Sequence, residues 1–220
     1  MGLLYRLVPK AAFAVFAVVS MASGVAFAAE PSSFMRIFGA VQPPYGFVLF
    51  CQSFPQECAE GARGEQRVTA TAERLAELDA INRTVNKAIE PATDMEVYGV
   101  SEHWTIPRLR GDCEDYALMK RRLLIERGWP VGAMLMTVVR DEKGEGHAVL
   151  TARTTQGDFI LDNKNDDIKI WHKTPYEYVM RQSYLNARVW MSLDARHGSM
   201  LTASAPEMNR AQAAITSLGH

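Results

Sequence analysis

The 220-residue sequence has few cysteines and no excess of charge of either sign. It contains three cysteines, and 24 basic against 25 acidic side chains give a formal net charge of −1. Without a basic excess, nucleic acid or an anionic membrane surface is not the expected partner. The sequence also contains no internal repeat and no EF-hand loop, so neither a repeat architecture nor that kind of calcium site is predicted.

The sequence also lacks an apolar run that would make a good membrane span. The run Ala11–Val19 is short, and serine and glycine interrupt the residues after it. Arg6 and Lys10 precede it, and Ala26–Ala28 reads Ala-Phe-Ala, which is typical of a signal-peptide cleavage site. We therefore expect a signal peptide over residues 1–28; an uncleaved N-terminal anchor is the alternative.

Cleavage at that site would leave 192 residues, the difference between 220 and 28. That length suits one domain with a full hydrophobic core. We assign this domain to residues 29–195 and regard residues 196–220, which are rich in Ala, Ser and Met, as a C-terminal tail. The expected location is the periplasm or the exterior of the cell.

Export would place the three cysteines in an oxidising compartment. An odd number of cysteines in an exported protein suggests one disulfide and one free thiol. Cys51 and Cys58 flank the turn-like pair Phe54–Pro55 and are predicted to form the disulfide, with two unpaired structural thiols as the alternative. Cys113 is then the free thiol.

The periodicity of apolar residues predicts an α+β fold. Two amphipathic helices are expected over residues 69–90 and 112–127, and Gly128 ends the second. Strands are expected at 47–50, 133–140, 147–153, 158–161 and 188–193, and a short helix at 175–182. The segment 92–110 is predicted to be a loop.

Cys113, His147 and Asp162 are the candidate catalytic residues. Cys113 begins a predicted helix, where the N-terminus stabilises a thiolate. If residues 154–157 form a four-residue hairpin loop, His147 and Asp162 lie on one face as diagonal neighbours, within hydrogen-bonding reach. This arrangement provides a nucleophile, a general base and an acid that orients the base.

Three acids surround the candidate nucleophile: Asp112, Glu114 and Asp115. Carboxylates close to a thiol raise its pKa and disfavour the thiolate. Two interpretations remain open. The acids either point away and stabilise the first turn of the helix, or they bind a hard cation such as Ca²⁺.

At these residues the chain resembles the bacterial transglutaminase-like cysteine proteinases, in particular their alphaproteobacterial branch. The run Gly111–Ala117, which reads GDCEDYA, combined with the later His and Leu-Asp-Asn motifs, is a specific pattern. The resemblance extends over most of the chain and includes the Cys51–Cys58 segment, Thr93–Val100, Trp104, Gly111–Ala117, Gly146–Leu150, Leu161–Asn163 and Trp190. Lys164 departs from it, because an apolar residue is commoner there.

The resemblance implies a papain-like or transglutaminase-like core in which the helix of the nucleophile packs on an antiparallel sheet. It implies a triad of Cys113, His147 and Asp162, and calcium held at Asp112 and Glu114 with Asp115 adjacent. The implied activity is an exported cysteine peptidase that processes a protein such as a surface adhesin, in a compartment that an inner-membrane regulator can reach.

Two other functions remain open on the same fold. One is transglutaminase-type amide transfer, and the other is a non-catalytic module that binds a peptide in the same groove. No organic cofactor is expected. For the peptidase, the Cys113 backbone N–H is the first candidate oxyanion donor and the indole N–H of Trp104 is a candidate for the second.

Overall fold

The computed structural model describes Gly2 and residues 31–58 and 66–196. The predicted signal peptide lies outside the described residues apart from Gly2, and the predicted tail lies outside them beyond Arg196. Across the described residues, no helix has the length and apolar character needed to cross a membrane.

The fold is α+β and is built around one antiparallel sheet of seven strands. Its strand order is β1-β9-β8-β4-β5-β6-β7, and every neighbouring pair is antiparallel. The strands are β1 (Ala40–Val41), β4 (Met134–Arg140), β5 (Gly146–Thr154), β6 (Gly157–Asp162), β7 (Asn165–Ile170), β8 (Glu177–Gln182) and β9 (Trp190–Ser192). Two short parallel strands, β2 (Glu90–Pro91) and β3 (Arg110–Gly111), form a separate pair.

Four α-helices accompany the sheet in the described part of the chain: α1 (Tyr45–Ser53), α2 (Ala72–Ala88), α3 (Asp94–Tyr98) and α4 (Cys113–Glu126). The side chain of Thr71 caps α2 by accepting the N–H of Arg74. After α4, Gly128 has a φ of 83°, a left-handed conformation that glycine adopts without strain. The two long helices and their ends therefore follow the sequence prediction.

The helix that carries Cys113 packs on the sheet, as the resemblance implied. α4 contacts β4, β5 and β6 on one side and α2 on another. Leu118 and Leu124 of α4 are fully buried against Leu150 and Leu161 of the sheet in one continuous core. Burying a leucine side chain contributes about 1.5–3 kcal/mol, so this core fixes the helix start relative to β5.

Three sequence predictions of secondary structure differ from the structure. Residues 47–50 belong to helix α1 and not to a strand, because Phe47, Phe50 and Cys51 bury one helical face. Residues 177–182 form strand β8 and not a helix, because they pair with β4 through Arg181 opposite Thr137. A short apolar run does not distinguish a helix from a strand. The neighbouring strands of the sheet decide between them, because residues 177–182 find a pairing partner there. The segment 92–110, predicted as a loop, also contains α3.

The structure contains the predicted disulfide between Cys51 and Cys58. Both residues are buried, Cys51 in α1 and Cys58 at the end of a short 3-10 helix, Pro55–Cys58. Cys113 is the free cysteine. The distribution of thiols expected from an odd cysteine count is therefore present.

Candidate active site

Cys113 is the first residue of α4. Asp112 precedes it in an extended conformation and its backbone carbonyl accepts the N–H of Tyr116, which begins the helix. The unpaired amides of the first turn and the helix dipole give this end of α4 a partial positive charge. The helix thus places the thiol where a developing negative charge is favoured.

The Cys113 thiol has two hydrogen-bonding neighbours. Its Sγ lies 3.1 Å from Oε2 of Glu114, and the backbone N–H of Ala148 donates to Sγ at 3.4 Å. Burial and the charge of Glu114 raise the pKa of Cys113, and the Ala148 N–H opposes this increase. The thiol is therefore beside the strand residue that follows His147, and the adjacent acid disfavours its ionisation.

His147 and Asp162 lie as the hairpin register predicted. Arg153 faces Asp158 across the β5–β6 hairpin, as predicted. The predicted four-residue loop is wrong, because Thr154 pairs with Gly157 and only two residues connect the strands, but the even number keeps the predicted parity. His147 Nε2 lies 2.9 Å from Asp162 Oδ1, and the two residues are only 4 % and 5 % exposed. Because Nε2 is bonded to the acid, Nδ1 is the ring nitrogen left for the thiol.

The carboxylate of Asp162 accepts three hydrogen bonds. Oδ1 accepts from His147 and from the backbone N–H of Lys164 at 3.0 Å, and Oδ2 accepts from the hydroxyl of Tyr176. Burial alone would raise the pKa of Asp162, but these three donors together hold it below its usual value. The acid is therefore kept ionised beside the imidazole.

Helix α2 supports this acid through two amide side chains that the sequence analysis did not assign. Asn82 Oδ1 accepts the N–H of Asp162 at 3.0 Å, and Asn86 Nδ2 donates to the Asp162 carbonyl at 2.9 Å. Asn82 is fully buried between the apolar residues of the helix. An asparagine on the apolar face of a predicted amphipathic helix was the sequence signal that could have identified Asn82. Tyr176 had no such signal, because the sequence analysis placed it in a helix.

Three acids form a compact group next to the thiol. Oxygen atoms of Asp94, Asp112 and Glu114 lie within 4.8 Å of one another. The β2–β3 pair brings them together, because the Ala92 N–H donates to the Gly111 carbonyl and so places the start of α3 beside the start of α4. Asp94 was not among the predicted ligands, and its position depends on this long-range pairing.

Asp115, the third predicted ligand, lies outside that group of oxygen atoms. Its Oδ1 accepts the N–H of Thr105 at 2.9 Å, and Gly111 gives its Oδ2 room, since a Cβ there would approach Oδ2 to 2.5 Å. Burial is the main cause that raises the pKa of Asp115 to about 8 and that of Glu114 to about 9. The charge of Asp112 raises both values further.

The chemistry of these acids fits a calcium ion. One oxygen in each of three side chains is buried without a hydrogen-bond partner: Oδ1 of Asp94, Oδ1 of Asp112 and Oδ2 of Asp115. Buried carboxylate oxygens that lack donors are hard ligands of the type Ca²⁺ prefers. Asp94, Asp112 and Glu114 would hold the ion, and its charge would offset their mutual repulsion.

The thiol opens into a cavity of about 320 Å³ that His147 and Ala148 also line. The indole of Trp104 forms another part of the wall, and a Cβ on Gly46 would come within 2.4 Å of that ring. The indole N–H donates to Oε1 of Glu102 at 2.6 Å, so it is engaged and not directed at the thiol. The cavity can hold a main-chain segment next to Cys113.

A second cavity, of about 690 Å³, adjoins the first. Gln42 and Met180 line both cavities; Cys113 lines the first, and Arg140 and the β8 residues Glu177–Met180 line the second, and we refer to the two together as the groove. Lys164 stands apart from the groove lining. Its ammonium donates to Oδ2 of Asp141 at 2.8 Å, which ties the turn after β6 to the turn before β5.

Comparison with known proteins identifies one family. Residues 37–198 match the family described as bacterial transglutaminase-like cysteine proteinase BTLCP, a stretch that contains all the residues of this site. No match was found among curated proteins.

Solved structures of one protein, Legionella pneumophila LapG, resemble the fold. A first structure has 25% sequence identity and a TM-score of 0.43, and covers 53% of this chain and 67% of LapG. A calcium-bound structure of LapG has 21% identity and a TM-score of 0.46, and covers 66% of this chain and 77% of LapG. An EGTA-treated structure has 24% identity and a TM-score of 0.43, and covers 53% and 66% respectively.

Proposed function

The chain belongs to the bacterial transglutaminase-like cysteine proteinase family and is a cysteine peptidase, and from that premise we propose that it cleaves a protein through a Cys113–His147–Asp162 triad. The observation that carries the proposal is the hydrogen bond from His147 Nε2 to Asp162. It leaves Nδ1 available in the cavity that also contains the thiol. A nucleophile, a base and an orienting acid are the groups that acyl transfer requires.

In the proposed reaction, His147 Nδ1 takes the proton of the Cys113 thiol as sulfur attacks the substrate carbonyl carbon. The imidazolium formed is stabilised by Asp162 and then gives the proton to the leaving amine, whose bond to the carbonyl carbon breaks. Water, deprotonated by the same nitrogen, attacks the resulting thioester and releases the acid product and the free thiol. Each cycle consumes one water and one peptide bond.

The start of α4 supplies one group for the oxyanion. The backbone N–H of Cys113 is in the first turn of the helix, where amides have no intrahelical acceptor. A tetrahedral oxyanion beside Sγ would accept from this N–H and lie at the positive end of the helix dipole. The Trp104 indole N–H would have to leave Glu102 before it could contribute.

The shape of the groove favours a polypeptide over a small molecule. Its two cavities meet at Gln42 and Met180 and together extend well beyond the space around the thiol. An extended polypeptide segment can occupy such a groove on one side of the scissile bond. With the predicted export signal, we propose a cell-surface protein such as an adhesin as the substrate, and a periplasmic or secreted location that an inner-membrane regulator can reach.

Calcium dependence is the second part of the proposal. Asp94, Asp112 and Glu114 would hold Ca²⁺, and the orphaned buried oxygens described above support this assignment. A bound cation supplies positive charge that neutralises carboxylates next to the thiol and favours the thiolate. Glu114 contacts Sγ, so its neutralisation would act directly on the nucleophile.

Trapping the products of the reaction tests the proposal. The mature protein is incubated with Ca²⁺ and an extract of periplasm and outer membrane, and new N-termini are identified by mass spectrometry. A Cys113→Ala variant is the matched control. New N-termini that appear only with the wild type are expected, and none with the wild type would contradict a peptidase.

The same experiment separates the two other functions. Addition of a labelled primary amine would reveal amide transfer if the label is incorporated without new N-termini. Capture of extract peptides by both proteins, without a thioester in the wild type, would indicate a binding module. Either result would overturn hydrolysis as the main activity.

A further inference from the structure

Tyr176 contacts both His147 and Asp162, although the reaction described above does not use it. Its hydroxyl donates to Oδ2 of Asp162. Its ring meets the imidazole of His147 edge to face, with the ring centroids 5.5 Å apart and an interplanar angle of 67°. The other carboxylate oxygen, Oδ1, is the one that His147 binds. Tyr176 therefore touches the acid and the base at the same time.

The pairing of the sheet brings Tyr176 to this position. Tyr178 on β8, Val139 on β4 and His147 on β5 lie opposite one another. Tyr176 comes immediately before β8 and packs against the apolar cluster to which Val139 and Tyr178 belong. Because β8 pairs with β4 and β4 pairs with β5, this packing places the Tyr176 ring beside the start of β5, where His147 lies.

A separate small cavity reaches the acid. Asp162 and Tyr176 line this cavity, which has a volume of about 20 Å³, and neither Cys113 nor His147 is part of its wall. Cys113 and His147 line the larger thiol cavity instead, and Asp162 and Tyr176 do not. A space of about 20 Å³ has room for one water molecule. The hydroxyl of Tyr176 therefore takes a position at Oδ2 that water could otherwise occupy.

We propose that Tyr176 is a positioning residue of the active site, whose hydroxyl fixes the rotation of the Asp162 carboxylate and whose ring limits the rotation of the His147 imidazole. A carboxylate held at both oxygens presents one fixed acceptor to Nε2, whereas a carboxylate held at one oxygen can turn. Burial, followed by the hydrogen bond to Asp162, raises the pKa of Tyr176, so the phenol stays protonated and donates. The inference rests on the proposed function, which gives His147 and Asp162 their roles.

Loss of the hydroxyl has two opposite effects on the base. The hydroxyl draws charge from Asp162, so its removal makes the acid a stronger partner for the imidazolium. Without the hydroxyl, the carboxylate also turns more freely, and the imidazole spends less time in the reactive geometry. If Tyr176 acts by positioning, the second effect exceeds the first and Cys113 becomes less reactive.

The assay is the second-order rate of Cys113 alkylation by iodoacetamide, measured on the mature protein with Ca²⁺ and without substrate. Tyr176→Phe keeps the ring and should react roughly three- to tenfold more slowly than the wild type. Tyr176→Leu also removes the ring and should react more slowly than Tyr176→Phe. In an Asp162→Ala background the hydroxyl has no acceptor, so there Tyr176→Phe should change the rate by less than about twofold.

The Asp162→Ala background is the matched control for a general loss of structure. A structural defect would slow alkylation by the same factor in both backgrounds, whereas positioning through the acid acts only where the acid is present. A Tyr176→Phe rate equal to or above that of the wild type would overturn the inference, and so would equal slowing in both backgrounds. Equal rates for Tyr176→Phe and Tyr176→Leu would contradict the role of the ring. If Tyr176→Leu does not fold, the two Tyr176→Phe comparisons, which keep the packed ring, decide the inference.

The outcome is distinct from that of the proposed function, because alkylation reports the reactivity of the thiol and not cleavage. Slower alkylation of Tyr176→Phe, together with no cleavage of any extract protein by the wild type, would leave the positioning role in place and remove the peptidase assignment. Cleavage by the wild type with no effect of Tyr176→Phe on alkylation would do the opposite.

Discussion

Replacement of Asp162 by asparagine tests the geometry around the imidazole most directly. The backbone N–H of Lys164 donates to Oδ1 and cannot act as an acceptor, so the amide oxygen of the new side chain must occupy that position. The amide nitrogen then faces the hydroxyl of Tyr176, which can rotate to accept. His147 therefore keeps an oxygen acceptor at Nε2, and with it the same tautomer.

The expected loss follows from the charge alone. A hydrogen bond to a charged group contributes about 1.5–3 kcal/mol and a neutral one about 0.5–1.5 kcal/mol. The difference of about 1–1.5 kcal/mol corresponds to a roughly tenfold slower reaction. Loss of the correct tautomer would instead cost about 10⁴-fold.

The assay is the second-order rate of Cys113 alkylation by iodoacetamide near neutral pH, which needs no substrate. Asp162→Asn should react about tenfold more slowly than the wild type, and Asp162→Ala, which removes both acceptors, more slowly still. Tyr176→Phe in the Asp162→Asn background removes the acceptor of the new amide and should lower the rate further. Equal rates for the Asn and Ala variants would refute the argument that Lys164 fixes the amide.

Three further predictions concern the thiols, the cation and the partly buried ion pair of Lys164 with Asp141. Unfolding without reductant should expose one alkylatable thiol, at Cys113, and a count of three would contradict the disulfide. EGTA should slow alkylation of Cys113, and Ca²⁺ but not Mg²⁺ should restore the rate, since Mg²⁺ demands tighter coordination geometry. Calorimetry should detect Ca²⁺ binding to the wild type and none to Asp112→Ala. A wild type that binds no Ca²⁺ would exclude the site. The Lys164 ammonium is the main cause that lowers the pKa of Asp141 from 3.8 to about 2. The pair therefore stabilises the fold above pH 4 and loses this effect as the pH falls toward 2. The wild type should unfold at a lower urea concentration at about pH 2.5 than at about pH 5, and Lys164→Met should make the difference between these two urea midpoints smaller. An unchanged difference would argue against a stabilising role of the pair.

The local pattern of apolar and turn residues is sufficient to predict the helix and the hairpin that carry Cys113, His147 and Asp162. The amphipathic segments at 72–88 and 113–126 fold as the predicted helices, because their apolar residues recur at helical spacing. The parity of the β5–β6 hairpin follows from the pairing of Arg153 with Asp158, which the sequence analysis predicted although it made the loop two residues too long, and it places His147 and Asp162 on one face. The single free cysteine follows from an odd count.

The residues that tune the site depend on the tertiary structure. Asp94 joins the acids only because the β2–β3 pair, which has no sequence signature, places it beside Asp112. Tyr176 reaches Asp162 only because β8 pairs with β4, where local periodicity had indicated a helix.

Lys120 shows most clearly the difference between what the sequence determines and what only the tertiary structure determines. From the sequence it is one of several basic residues near the end of a helix, where the dipole favours a positive charge at the surface. Its 1 % exposure arises in a helix that packs against both α2 and the sheet. Sequence periodicity determines which residues share a face, but only the assembly of helices and sheet determines which of those faces are closed to water.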